Sequence, residues 1–219
     1  MRLFSYKLTD DCGFAPNPFW GILTLATCKP QIRRYKKEGD WIAGFTSGTL
    51  CGHAVGRERL IYLMQVKHKI SIAQYFRDPE YAQKIPNQKS RRTVERAGDN
   101  IYRPRREPAN APSDFVQLPN DYHCDMKGGC RLGDTQRHDL SGMNVLIAVR
   151  FVYFGREAIE IPATYRPEVP AGQSAHGVLT ADTARAQAFV DYVFAKAGRK
   201  RIHAAPHQWP EGDESWREA

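Results

Sequence analysis

No stretch of this sequence approaches the roughly 18 consecutive apolar residues that span a membrane. Cysteine is sparse and odd in number, five in 219 residues, which argues for reduced thiols over a disulfide framework. The N-terminal residues Met1 to Leu8 lack the apolar core and small-residue cleavage site of a signal peptide and alternate as a first or edge strand would, so the expected location is cytoplasmic. A nucleophile elbow, a phosphate-binding glycine loop, a paired-histidine metal helix and a dinucleotide fingerprint are all missing, which removes the motif-defined enzyme classes. Acidic charge is scarce in one half only. Residues 1–110 carry 20 Lys and Arg against 10 Asp and Glu, whereas residues 111–219 carry 12 against 14. A field of that sign concentrates polyanions and gives salt-dependent affinity for phosphates.

The densest information lies between Asp10 and Gly48. Gly13, Pro16, Pro18 and Gly21 shape an irregular loop, because proline locks φ and removes a donor while glycine permits turns. Ile22 to Cys28 is a short apolar run suited to a buried strand, ended by Lys29-Pro30. Gly39-Asp40 is a turn that leads into a second strand from Trp41 to Phe45. Thr46 to Gly56 reads as a flexible loop. Leu60 to Val66 is apolar enough for a central strand. Ser71 caps a short helix at Ile72–Phe76, and Asp78-Pro79 opens a further turn. Val145 to Phe154 reads as another central strand. Ala184, Ala186, Phe189, Val190, Val193 and Phe194 recur at helical spacing, with Asp182 before them and Gly198 after.

The residues Gly13-Phe14-Ala15-Pro16-Asn17-Pro18-Phe19, Thr24-Leu25-Ala26, Cys28-Lys29-Pro30, Ile32-Arg33 and Gly39-Asp40-Trp41-Ile42 resemble those of the second nucleotide-modification-associated domain family. Gly98-Asp99-Asn100-Ile101-Tyr102 and the run from Val145 to Gly155 follow in the family's order, so the resemblance covers roughly residues 1–160. It implies a role in pathways that make or handle modified nucleotides in DNA, with possible protein partners from such a pathway, and it brings no defined reaction. The order of strands and glycine loop is also similar to that of PUA-like barrels, among them the EVE and YTH readers of modified bases. The expected fold is therefore α+β: a mainly β, PUA-like (EVE-like) barrel with the C-terminal amphipathic helix packed outside. One domain over residues 1–203 is expected, with a basic loop arm at about 84–120 and a peripheral tail at 204–219, in which Trp209 is a candidate anchor.

Aromatic groups beside hydrogen-bonding and basic ones suit a nucleobase, read by stacking and by its edge. The candidate nucleotide- or base-binding set is Phe14, Asn17, Lys29, Arg33, Trp41, Ser47, Asp99, Asn100 and Tyr102, with Trp41 or Tyr102 as stacking face. In the arm, Arg91, Arg92, Arg96 and Arg103 are candidates for phosphate contacts. Two functions remain open: a module that binds a modified base or nucleotide, and an enzyme of modified-nucleotide metabolism that uses Asp11, Asp99 and Asp139 for acid-base or metal chemistry. A structural subunit of a larger complex is a third. The ligand is nucleic acid or nucleotide, and no cofactor is indicated. His123, Cys124, Cys130 and His138 are ligands that zinc takes, but Cys-x5-Cys is wider than the usual knuckle, so no metal site is assigned. Cys28, beside Lys29 and Arg33, is a conceivable nucleophile if those cations lie close.

Overall fold

The computed structural model describes residues 1–123 and 132–219. In chain order the elements are β1 (Leu3–Lys7), β2 (Leu23–Leu25), α1 (Pro30–Tyr35), β3 (Trp41–Phe45), α2 (Gly48–Cys51), β4 (Leu60–Gln65), β5 (His68–Ser71), α3 (Ile72–Arg77), α4 (Thr93–Arg96), β6 (Tyr102–Pro104), β7 (Phe115–Gln117), α5 (Leu132–Leu140), β8 (Asn144–Ala148), β9 (Arg150–Tyr153), β10 (Val178–Leu179) and α6 (Thr183–Ala197).

The architecture is mixed α and β, built on three sheets. A five-stranded sheet runs β10-β1-β3-β4-β9, a three-stranded sheet runs β2-β8-β5, and β6 pairs with β7. β1 and β3 are parallel, which requires a long crossover. Residues 8–40 supply it, and β2 and α1 lie within it. Side chains of the larger sheet alternate between two cores, as the two-residue strand period demands. Ile42, Met64, Phe151 and Tyr153 point to the layer shared with Leu23, Leu25, Leu146 and Ile32. Trp41, Ala43, Leu63 and Val152 point the other way, onto Ala186, Phe189, Val190 and Val193 of α6. The apolar stripe expected for this helix is thus its buried face. Asp182 caps it through Ala184 and Arg185, and Gly198 ends it. Ser71 likewise caps α3, accepting from Gln74 N–H.

Four expectations are corrected. The strands do not close into a PUA-like barrel: β10 and β9 are the edges of one sheet and β2 and β5 those of the other, and no pairing joins β2 to β10 among the described residues. The expected strand from Val145 to Phe154 is instead two, bent at the exposed Val149. β4 and β5 bend opposite it, with Gln65 facing Arg150 and His68 facing Ile147, so one folded ribbon belongs to both sheets. The expected strand at Ile22–Cys28 shrinks to three residues, because Cys28 and Lys29 turn the chain into α1 in left-handed conformations, φ 49° and 35°. Within Thr46–Gly56, Ser47 caps the short α2.

Residues 84–120, expected as a basic loop arm, carry regular elements and core residues. They contain α4, β6 and β7, and Val94, Ala97, Ile101, Tyr102 and Phe115 are buried. The stretch 204–219 is anchored as well as carried on the surface: Trp209 is buried, stacks on Phe19 at 5.2 Å and donates through Nε1 to the Cys12 carbonyl at 2.7 Å.

Candidate functional site

Three buried carboxylates organise the polar interior, and each is held by protein donors. Asp11 accepts from Tyr153 OH at 2.5 Å, from His207 N–H at 3.1 Å and lies 2.7 Å from His207 Nδ1. Asp99 accepts from Thr24 Oγ1 at 2.6 Å and Tyr75 OH at 2.8 Å. Burial pushes Asp99 above the usual carboxylate range, opposed by Lys84 and by those two hydroxyls. Asp139 accepts from the Cys28 backbone N–H at 2.7 Å and from Tyr102 OH at 2.8 Å, with His123 Nε2 at 3.1 Å. Burial would raise Asp139, but the bond from His123, the charges of His123 and Arg33 and the Tyr102 hydroxyl outweigh it and hold the carboxyl low. The three acids named for the alternative enzyme reading thus sit in separate clusters, each with its oxygens engaged.

Asp139 fixes the Cys28–Lys29 turn from behind. Arg33 completes the clamp: its Nε donates to the Cys28 carbonyl at 2.9 Å, Nη1 to the Asn144 carbonyl at 2.8 Å and Nη2 to the Asp139 carbonyl at 2.5 Å. The turn opens onto a cavity of about 550 Å³ walled by Thr9, Gln31, His138, Ser141, Gln173 and Ser174 besides Cys28 and Lys29. That volume lies within the 300–1,000 Å³ or so of small-molecule sites. Lys29 Nζ lies 5.3 Å from the Tyr6 ring centroid and 3.5 Å from Gln173 Oε1. Burial pulls Lys29 below the usual lysine range, while Cys28 and Asp10 pull the other way. Cys28 is not activated by the cations beside it. Burial, with Asp139 and Cys12, pushes it up to about 12 despite Arg33 and Lys29, so near neutral pH it is a thiol, not a thiolate. Cys12, Cys28 and Cys51 are free.

Of the candidate base-binding residues, Lys29 alone lines this cavity, and Arg33 stands behind it. Phe14 is buried against the His123 ring at 4.9 Å. Asn17 is fully buried, its Nδ2 donating to the Ala97 carbonyl at 3.0 Å. Trp41 is 2% exposed beneath α6, edge-on to Phe194 and covered by the Arg150 guanidinium at 4.9 Å. Ser47 caps α2. Asn100 is buried and donates to the Tyr75 carbonyl at 3.0 Å, leaving its Oδ1 without a partner. Tyr102 is buried on Asp139. An aromatic ring enclosed in this way offers no face for stacking. Among the candidate phosphate contacts, Arg92 pairs with Glu95 and Glu218 and Arg96 with Asp121, while Arg91 and Arg103 are exposed. His123 and His138 do not join a metal cluster among the described residues, and Cys124 and Cys130 lie outside them.

Sequence reasoning missed the cavity and Lys84. Thr9, Gln31, Ser141 and Gln173 come from four distant segments, and no spacing rule joins them. Lys84 has a weaker signal, a lysine two residues before Pro86. It is 1% exposed and donates to the Asn17 carbonyl at 3.0 Å, Asn17 Oδ1 at 2.7 Å and the Ile22 carbonyl at 3.0 Å. Burial lowers it to about 7, with Asp99 opposing.

A mixed α and β domain with a polar cavity at a clamped turn is the class that this geometry defines. The chain belongs to the family nucleotide modification associated domain 2, whose model matches residues 1–213. No curated protein and no solved structure matches it. Among the described residues no helix is long and apolar enough to cross a membrane.

Proposed function

We propose that this protein is a binding module for a nucleotide, with the cavity beside Lys29 as its site. What supports the reading is one observation: a cation, two amides and three hydroxyls converge on a cavity of about 550 Å³ at a turn held rigid by Asp139 and Arg33. Lys29 supplies the positive charge for the phosphate, and the His138 ring lines the cavity beside it. Gln31 and Gln173 each bring a donor and an acceptor to a base edge. Ser141 and Thr9 bring hydroxyls that serve the sugar or an added polar group on the base, which is how a modified base is told from a plain one. The membership of a family associated with nucleotide modification agrees with this ligand.

The test is calorimetric titration and thermal shift with plain and modified nucleoside 5′-monophosphates, with chromatography of the nucleotide afterwards. Binding without turnover is expected. Lys29→Ala, at a half-buried site away from the core, leaves folding intact and weakens binding about tenfold or more, the size of one charge-assisted phosphate contact. Equal affinity of Lys29→Ala and the parent for every nucleotide removes this cavity as the site.

A further inference from the structure

A second cavity, of about 520 Å³, lies between the segment after β6 and the helix α5. Two arginines line it, Arg105 and Arg137, and both are exposed. Neither guanidinium has an ion pair or hydrogen bond among the described residues. Arg103, two residues before Arg105, is likewise exposed and without an ion pair among the described residues, whereas Arg106 pairs with Asp114, Arg77 with Glu107, Arg92 with Glu95 and Arg96 with Asp121. Asp114 is already occupied, since its carboxylate also accepts the N–H groups of Asn110 and Ala111 at 2.9 Å. Asp134, one turn earlier on α5, forms no ion pair with Arg137.

The frame that holds the two arginines is built. Gln136 Nε2 donates to the Pro112 carbonyl at 3.2 Å and the Phe115 carbonyl at 3.0 Å, which ties α5 to the strand segment. Arg105 N–H donates to the Asp114 carbonyl at 2.7 Å. Two unpaired planar cations on a fixed frame match a phosphodiester, whose two free oxygens accept from guanidinium forks. Helix α5 joins this cleft to the Lys29 cavity. Gln136 and Arg137 face the first and His138 and Ser141 the second, so the two lie on either side of one helix end.

We propose that the Arg105–Arg137 cleft takes a backbone phosphate of a nucleic-acid strand whose neighbouring nucleotide enters the Lys29 cavity, so that the ligand is a polynucleotide and not a free nucleotide. The inference rests on the nucleotide reading of that cavity. A nucleotide inside a cavity is unpaired, so the strand is single or the nucleotide is turned out of a duplex.

The experiment uses the full chain, with Arg105→Gln and Arg137→Gln combined and Lys29→Ala separately. Probes are a fluorescent single-stranded DNA, the RNA of the same sequence and a nucleoside 5′-monophosphate, followed over a salt series. Both arginines are exposed, and the denaturant midpoint stays unchanged. The double variant loses about tenfold or more in oligonucleotide affinity, and the slope of log K against log salt flattens by about 0.7, for one phosphate of a single strand. Its mononucleotide affinity is unaltered. A loss on DNA alone or RNA alone supports the cleft and identifies the strand, and an equal loss supports a contact to phosphate only. Unchanged oligonucleotide affinity and slope in the double variant overturn the cleft and leave the Lys29 cavity standing. Lys29→Ala without effect on any probe overturns the cavity reading, a failure that the double variant does not produce.

Discussion

Lys84 is a buried amine whose three acceptors match the three donors of an ammonium, yet burial lowers it to about 7. In the unfolded chain a lysine binds its proton up to about 10.4. Between those two values the unfolded state holds more protons than the folded one, so stability rises with pH from about 7 to about 10. Urea midpoints across that range in the parent and in Lys84→Met are expected to diverge: the slope flattens in the variant. At pH 7 the variant also takes the donor from the Ile22 carbonyl, at a cost of about 1–3 kcal/mol before relaxation, while the Asn17 carbonyl keeps the Thr24 N–H and Asn17 Oδ1 keeps the Phe19 N–H at 3.4 Å. An unchanged slope would show that Lys84 keeps its proton in the fold.

Asp139 has the opposite sign. Its folded value lies below the ordinary carboxylate one, so it contributes stability above about pH 4 that is lost as pH falls through the folded value. Asp139→Asn should flatten the acid limb of the stability profile. It should also loosen the Cys28 N–H contact, raising amide exchange at Cys28 more than at Leu63 in the centre of β4.

At the scale of elements, Trp41 and α6 decide each other's position. The tryptophan is 2% exposed on β3 and packs on Phe194. Trp41→Ala is expected to destabilise the fold by about 3–5 kcal/mol and to leave nucleotide affinity unchanged once corrected for the unfolded fraction. A specific loss of affinity with stability intact would return Trp41 to the binding surface. The cap of α6 is a milder case. Asp182→Ala removes the acceptor of the Ala184 and Arg185 N–H groups and should cost about 1 kcal/mol in the denaturant midpoint. Gly44 on β3 shows why an element can need one residue type: a methyl there would overlap the Tyr62 ring and Leu8, and that space belongs to the Tyr6–Tyr62 hydroxyl pair at 2.7 Å.

Over the whole molecule, the C-terminal segment closes the structure. It reaches back to the first loop through His207 on Asp11, Trp209 on Phe19 and Trp209 Nε1 on the Cys12 carbonyl. Removing residues 204–219 should therefore uncover Phe19 and lower the thermal midpoint by several degrees, a change that a free tail would not produce.

What the sequence by itself determined is what periodicity and local chemistry carry. The strands at Trp41–Phe45 and Leu60–Gln65, the Ser71 cap and the helix ending at Gly198 are all legible because strand alternation, capping and the helical stripe act within a few residues. The family's motifs are likewise contiguous. Tertiary structure alone decided the rest. Asn17, Arg33, Asp99 and Asn100 carry polar side chains of a kind that suits a ligand, and each is buried on partners far away in sequence, Asp99 on Thr24 and Arg33 on Asn144 among them. The bend at Val149 arises because one ribbon serves two sheets, and the cavity exists because Thr9, Cys28, His138 and Gln173 converge. A residue's type states which bonds it can make, but its burial depends on what the rest of the chain brings to it, and that information is not local.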